Sequence, residues 1–94
     1  MKKYIWNDSS GKIKITLTLS DALSVSHPGR CDEDIITLKN IPYVRKQLDA
    51  LAPNDIWNAL REYGPWDKND PQGNLEGILW IAAGDIAERP EDFI

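Results

Sequence analysis

The chain contains one histidine and one cysteine, and they fall four residues apart in Ser26-His27-Pro28-Gly29-Arg30-Cys31-Asp32-Glu33-Asp34. Two chemistries use such a pair. A zinc site takes thiolate and imidazole ligands, but it needs three or four of them and this sequence offers one of each. A Cys–His nucleophile pair needs a thiolate favoured by positive surroundings, whereas Asp32, Glu33 and Asp34 follow directly and favour the protonated thiol. The same three carboxylates crowd the helix start that a phosphate would otherwise use. A loop histidine and an inert thiol are the stronger reading, and no metal or other cofactor is expected.

Asp85 is the second candidate, because Ala82, Ala83, Ile86 and Ala87 surround it in an otherwise apolar stretch. A carboxylate buried there must be paired or neutralised, and Arg45 and Arg61 are the partners the sequence offers. A bridge tying two helices outweighs acid–base catalysis, since general acid–base work needs a second tuned group and none is evident. No residue is assigned a catalytic role. A ligand pocket, if present, gathers His27, Cys31 and Asp85.

Four tryptophans stand in four different segments. Trp57 and Trp80 read as core. Trp6 lies near a turn and Trp66 in a Gly-Pro-Trp-Asp loop, positions where aromatics are enriched in binding hot spots. Large rings also serve as lids over small cores, and that is the stronger reading.

The net charge of −4 conceals an uneven distribution. Residues 1–46 carry eight Lys/Arg against five Asp/Glu, and residues 47–94 carry three against ten. An acidic half disfavours nucleic acid, which needs clustered cations. A one-sided negative field suits a basic protein surface, or it simply keeps a small protein soluble. If the field serves binding, Trp66, Asp67, Asp70 and Glu88 are the expected contact residues.

These residues are positioned by a short list of elements. Asn74 to Glu88 is apolar on nearly every side of a helical wheel, so it predicts a buried central helix contacted by at least two other elements. Gly77 and Gly84, seven apart on that helix, each cost up to ~1 kcal/mol of helix propensity. A large ring or a neighbouring backbone packed closely on the bare Cα accounts for the cost better than a ligand contact does.

Earlier in the chain, Tyr4-Ile5-Trp6, a turn-rich Asn7 to Gly11, and the period-two run from Lys12 to Leu19 predict a β-hairpin. Its outer edge is either protected by lysines or used for pairing, and protection is the stronger reading. Ser20 to Ser26, which begins with a capping residue in Ser20, predicts one or two helical turns. The apolar positions between Ile35 and Leu51 predict a helix that Pro42 breaks in two near Asn40 and Ile41. A further helix, with Asn54 as its cap and Ile56, Trp57, Leu60 and Tyr63 as its apolar stripe, ends at Gly64-Pro65. Residues 66–73 read as a loop, and the tail after Pro90 as extended.

The expected fold is therefore α+β, one domain of 94 residues with an N-terminal antiparallel hairpin packed on three or four short helices and the C-terminal helix central. The longest apolar run, Ile78 to Ala83, is far short of the ~20 residues a membrane span requires. The start lacks an apolar signal region, and a lone cysteine fits a reducing compartment, so a cytoplasmic location is expected.

The functional expectation is a small accessory protein, a regulator or inhibitor, that binds another protein through its acidic C-terminal half. Small acidic orphan domains of this kind are frequent among bacterial proteins carried on mobile elements. The alternatives are a small enzyme or ligand-binding domain with a pocket near His27 and Asp85, and a homo-oligomer subunit.

Overall fold

The hairpin forms where the period-two pattern places it. Strand β1 (Lys3–Asn7) pairs antiparallel with β2 (Lys14–Thr18), Ile5 opposite Thr16 and Trp6 opposite Ile15. Ile13, Ile15 and Leu17 are fully buried on the inner face, as alternation requires. The computed structural model describes residues 2–26, 32–64 and 66–94.

The hairpin turn is organised by Asp8, a residue the turn-rich composition does not single out. Its Oδ1 accepts the Ile13 N–H at 2.8 Å, and its Oδ2 accepts the Ser10 hydroxyl at 2.5 Å and the Ser10 N–H at 3.3 Å. Gly11 completes the turn at φ 75°, a conformation only glycine adopts freely.

The outer edge of β2 is closed by side chains of a helix. Gln47 accepts the Thr16 N–H at 2.7 Å and donates to the Thr16 carbonyl at 2.9 Å, so its amide substitutes for a third strand. Tyr43 Oη accepts the Thr18 N–H at 3.3 Å and donates to Asp21. This edge is thus protected, by an amide and a phenol rather than by lysine.

Among the described residues five α-helices follow the hairpin: α1 (Leu19–Ser26), α2 (Asp32–Lys39), α3 (Pro42–Asp49), α4 (Pro53–Leu60) and the central α5 (Pro71–Glu88). The expected break at Pro42 is present, with the proline at the first helical position, where its missing N–H costs nothing. The caps differ from expectation. Thr18 Oγ1, not Ser20, accepts an N–H of α1, from Asp21 at 3.1 Å. Helix α4 starts at Pro53 after an Ala52 cap, so Asn54 already lies inside it.

Helix α5 begins three residues before the expected Asn74, because Pro71 suits the first turn and Asp70 caps it by accepting the Gly73 N–H at 3.1 Å. Its Ile78, Leu79, Ala82, Ala83 and Ile86 are fully buried, and α1, α2, α4 and β1 all pack on it. An ion pair of 2.9 Å between Lys39 and Glu76 joins the end of α2 to α5. The tail is a 3₁₀ turn, Pro90–Phe93, closed by the Asp92 N–H donating to the Arg89 carbonyl, instead of an extended strand. Phe93 packs against the core, and Ile94 is exposed.

Candidate functional site: an acidic groove at the C-terminal end of the central helix

Asp85 has a hydrogen-bonding partner, and it is not an arginine. The Trp6 indole Nε1–H donates to Asp85 Oδ2 at 2.8 Å, tying β1 to α5. Arg45 is committed to Asp49, at 2.9 Å from Nε and 2.5 Å from Nη2, and Arg61 lies exposed beyond the end of α4. Trp6 is only 1% exposed, so burying its large ring requires an acceptor for the indole N–H, and Asp85 supplies it. An indole is a neutral donor and brings no compensating positive charge. Trp6, near the turn, is thus the most deeply buried of the tryptophans, whereas Trp57 and Trp80 are half-buried.

Beside Asp85 lies Tyr63. Its place on the apolar stripe of α4 is not realised, because α4 ends at Leu60 and Tyr63 stands in the following turn, its N–H donating to the Leu60 carbonyl at 2.8 Å. Half of its surface is exposed. Partial burial, and then the negative charges of Asp85, Glu62 and Asp8, push its phenol above the ordinary value of 10.0. Asp85, Glu62 and Asp8, from three different segments, thus each contribute negative potential at this hydroxyl. Ser9 on the hairpin turn donates to Glu62 Oε2 at 3.0 Å, which holds this corner together.

A shallow groove of about 630 Å³ runs along α5 at this place. Its walls are Leu23 of α1, Tyr63, and Trp80, Ile81, Gly84, Asp85, Ala87 and Glu88 of α5. Leu23 and Tyr63, at 43% and 50% exposure, are among the few large apolar side chains left open to solvent. The described lining holds two carboxylates and no Lys or Arg. A Cβ built on Gly84 would meet nothing within 4 Å, so this glycine marks no close crossing and leaves bare backbone at the groove.

The other expected contact residues sit at the opposite end of α5. The Trp66 ring packs on Gly77, where a Cβ would come within 2.6 Å of its Cη2 and Cζ3 atoms. Gly77 is thus the glycine that admits a large ring. Asp67 Oδ1 accepts the Asn69 N–H at 2.9 Å, and Asp70 caps the helix. An 18-residue helix spans roughly 27 Å, which separates Asp70 from Glu88. The structure therefore brings Glu88 together with Asp85, Tyr63 and Leu23 and leaves Trp66, Asp67 and Asp70 apart. His27 and Cys31 lie outside the described residues.

Among the described residues no group of three or more His, Cys, Asp and Glu could hold a metal ion. No helix among them is long and apolar enough to cross a membrane. No protein-family model, curated protein or solved structure matches this chain. Asp85 is legible from its apolar neighbours and Glu88 from the acidic half; Leu23 carries no signal, because its place in the groove depends on how α1 packs on α5.

Proposed function

We propose that this protein acts by binding another protein, as a regulator or inhibitor, and that the groove at the C-terminal end of α5 is its contact surface. The observation that carries the reading is a groove that gathers half-exposed Tyr63 and Leu23 with the carboxylates of Asp85 and Glu88 and no Lys or Arg in its described lining. Clustered carboxylates accelerate encounter with a basic partner, and exposed tyrosine and leucine supply the area that becomes desolvated on docking. The occupant this chemistry suits is a basic segment with an apolar anchor, its cations toward Glu62, Asp85 and Glu88.

Carboxylates spread from Asp70 to Asp92 do not make one continuous acidic face, so a broad mimic of nucleic acid is not part of this proposal. Charge reversal at Glu62 and Glu88, both exposed, tests it. A captured partner should be lost from the Glu62→Lys/Glu88→Lys variant and retained by an Asp67→Lys variant at the other end of the helix.

A further inference from the structure

The two edges of the hairpin are not equivalent. The Thr16 and Thr18 N–H groups point away from β1, to Gln47 and Tyr43. Ile5 and Lys3 opposite them, and Asn7 in the same alternation, therefore direct their own N–H and C=O groups outward from β1. Among the described residues none of these groups has a hydrogen-bond partner. The 3₁₀ turn Pro90–Phe93 approaches β1 without bonding it, and its Phe93 packs against the core. Lysine is the usual guard of such an edge. The Lys3 ammonium, however, lies 4.5 Å from the Tyr43 ring centroid, drawn across the sheet toward the far side of β2. Strand β1 is thus the edge left open.

That edge is complementary to itself in one antiparallel register. With Ile5 opposite its own copy, Lys3 falls opposite Asn7 and Asn7 opposite Lys3, so every outward N–H meets an outward carbonyl. Sliding by two residues leaves one end of each edge unpaired, and sliding by four either sets Lys3 against Lys3 or pairs Asn7 alone. From the open edge and this order of residues we infer that two copies of the chain join β1 to β1, antiparallel about a two-fold axis at Ile5, in one four-stranded sheet. No like charges meet across the axis. Ile5, half-buried on the outer face, packs on its counterpart. A two-stranded hairpin is marginal by itself, and the joined sheet removes that weakness. This edge is separate from the acidic groove and does not depend on that groove's role.

The test is sedimentation equilibrium of the whole chain over a micromolar to millimolar series, with isotope-filtered NMR on a mixture of labelled and unlabelled copies. A reversible dimer is expected, with a contact between the Tyr4 and Trp6 α-protons of different copies. In that register these residues face each other with Cα atoms about 4.5 Å apart, whereas within one strand they lie about 6.8 Å apart. Asn7→Lys sets a lysine against Lys3 twice and should weaken the dimer by about 2- to 30-fold, and Asn7→Glu should tighten it by a similar factor. Ile5→Pro, which an open edge tolerates because the lost N–H faces outward, should abolish the dimer. Asn7 is exposed, so its two variants decide the matter even if Ile5→Pro does not fold. A dimer indifferent to the Asn7 substitutions, or one without the Tyr4–Trp6 contact, overturns the inference. So does a chain that stays monomeric throughout, which leaves the edge to a strand of another protein.

Discussion

Trp6 and Asp85, 79 residues apart in sequence, are joined by an indole-to-carboxylate hydrogen bond of 2.8 Å. This bond connects the hairpin to the central helix and fixes the carboxylate that borders the groove. Asp85→Ala removes the acceptor and strands the buried indole N–H, and should cost about 1–3 kcal/mol in urea unfolding. Asp85→Asn keeps a carbonyl acceptor and should cost less. Equal losses in the two variants would show that the hydrogen bond is not what Asp85 contributes.

The two glycines of α5 should respond in opposite directions. Gly84→Ala adds a methyl where nothing lies within 4 Å, so relief of the glycine penalty should stabilise the protein by up to about 1 kcal/mol. Gly77→Ala places a Cβ 2.6 Å from the Trp66 ring and should destabilise by about 1–3 kcal/mol. Combining Gly77→Ala with Trp66→Ala should cost less than the sum of the single changes, because the clash disappears with the ring.

The hairpin turn should be acid-sensitive. Burial raises the Asp8 carboxyl, but hydrogen bonds from the Ser10 hydroxyl and the Ile13 and Ser10 N–H groups outweigh it and hold the group below its ordinary 3.8. A carboxyl lowered in the folded state contributes stability that is fully present above its unfolded value and is lost as pH falls through its folded one. Stability should therefore decline below about pH 4, with a shallower decline in Asp8→Asn than in the wild type. Identical acid profiles for the two proteins would contradict this role.

Gln47 should matter for the strand edge more than for the core. Gln47→Ala removes partners from both the N–H and the carbonyl of Thr16 and should cost about 1–2 kcal/mol. Amide hydrogen exchange at Thr16 should accelerate more than at Ile15, whose N–H lies on the side facing β1. Uniform acceleration along β2 would indicate general loosening instead of an opened edge.

The legible parts of this fold are those in which one segment's pattern determines its own state. The alternation of Ile13, Ile15 and Leu17 specifies the strand, Pro42 specifies the break between α2 and α3, and the apolar wheel of residues 74–88 specifies the central helix. The poorly legible parts depend on partners distant in sequence. Nothing local to Asp85 distinguishes an arginine partner from the Trp6 indole, and nothing local to Gln47 marks it as the closure of a strand edge. Tyr63 keeps helical spacing with Leu60, yet the helix ends at Leu60 and the ring turns outward, which makes it a groove residue. Asp70 and Pro71 do carry a local signal, cap and first-turn proline, that would have placed the start of α5 correctly.

The most direct test of the acidic groove is site-specific photo-cross-linking in cells that produce the protein, with p-benzoylphenylalanine in place of Tyr63 or of Asp67. The proposal predicts a covalent adduct from position 63 with a protein whose cross-linked peptide is rich in Lys and Arg. That adduct should be abolished by Glu62→Lys/Glu88→Lys, while position 67 gives none. An adduct from position 67 alone, or one from position 63 that persists after the charge reversal, would contradict it, as would the absence of any adduct at either position.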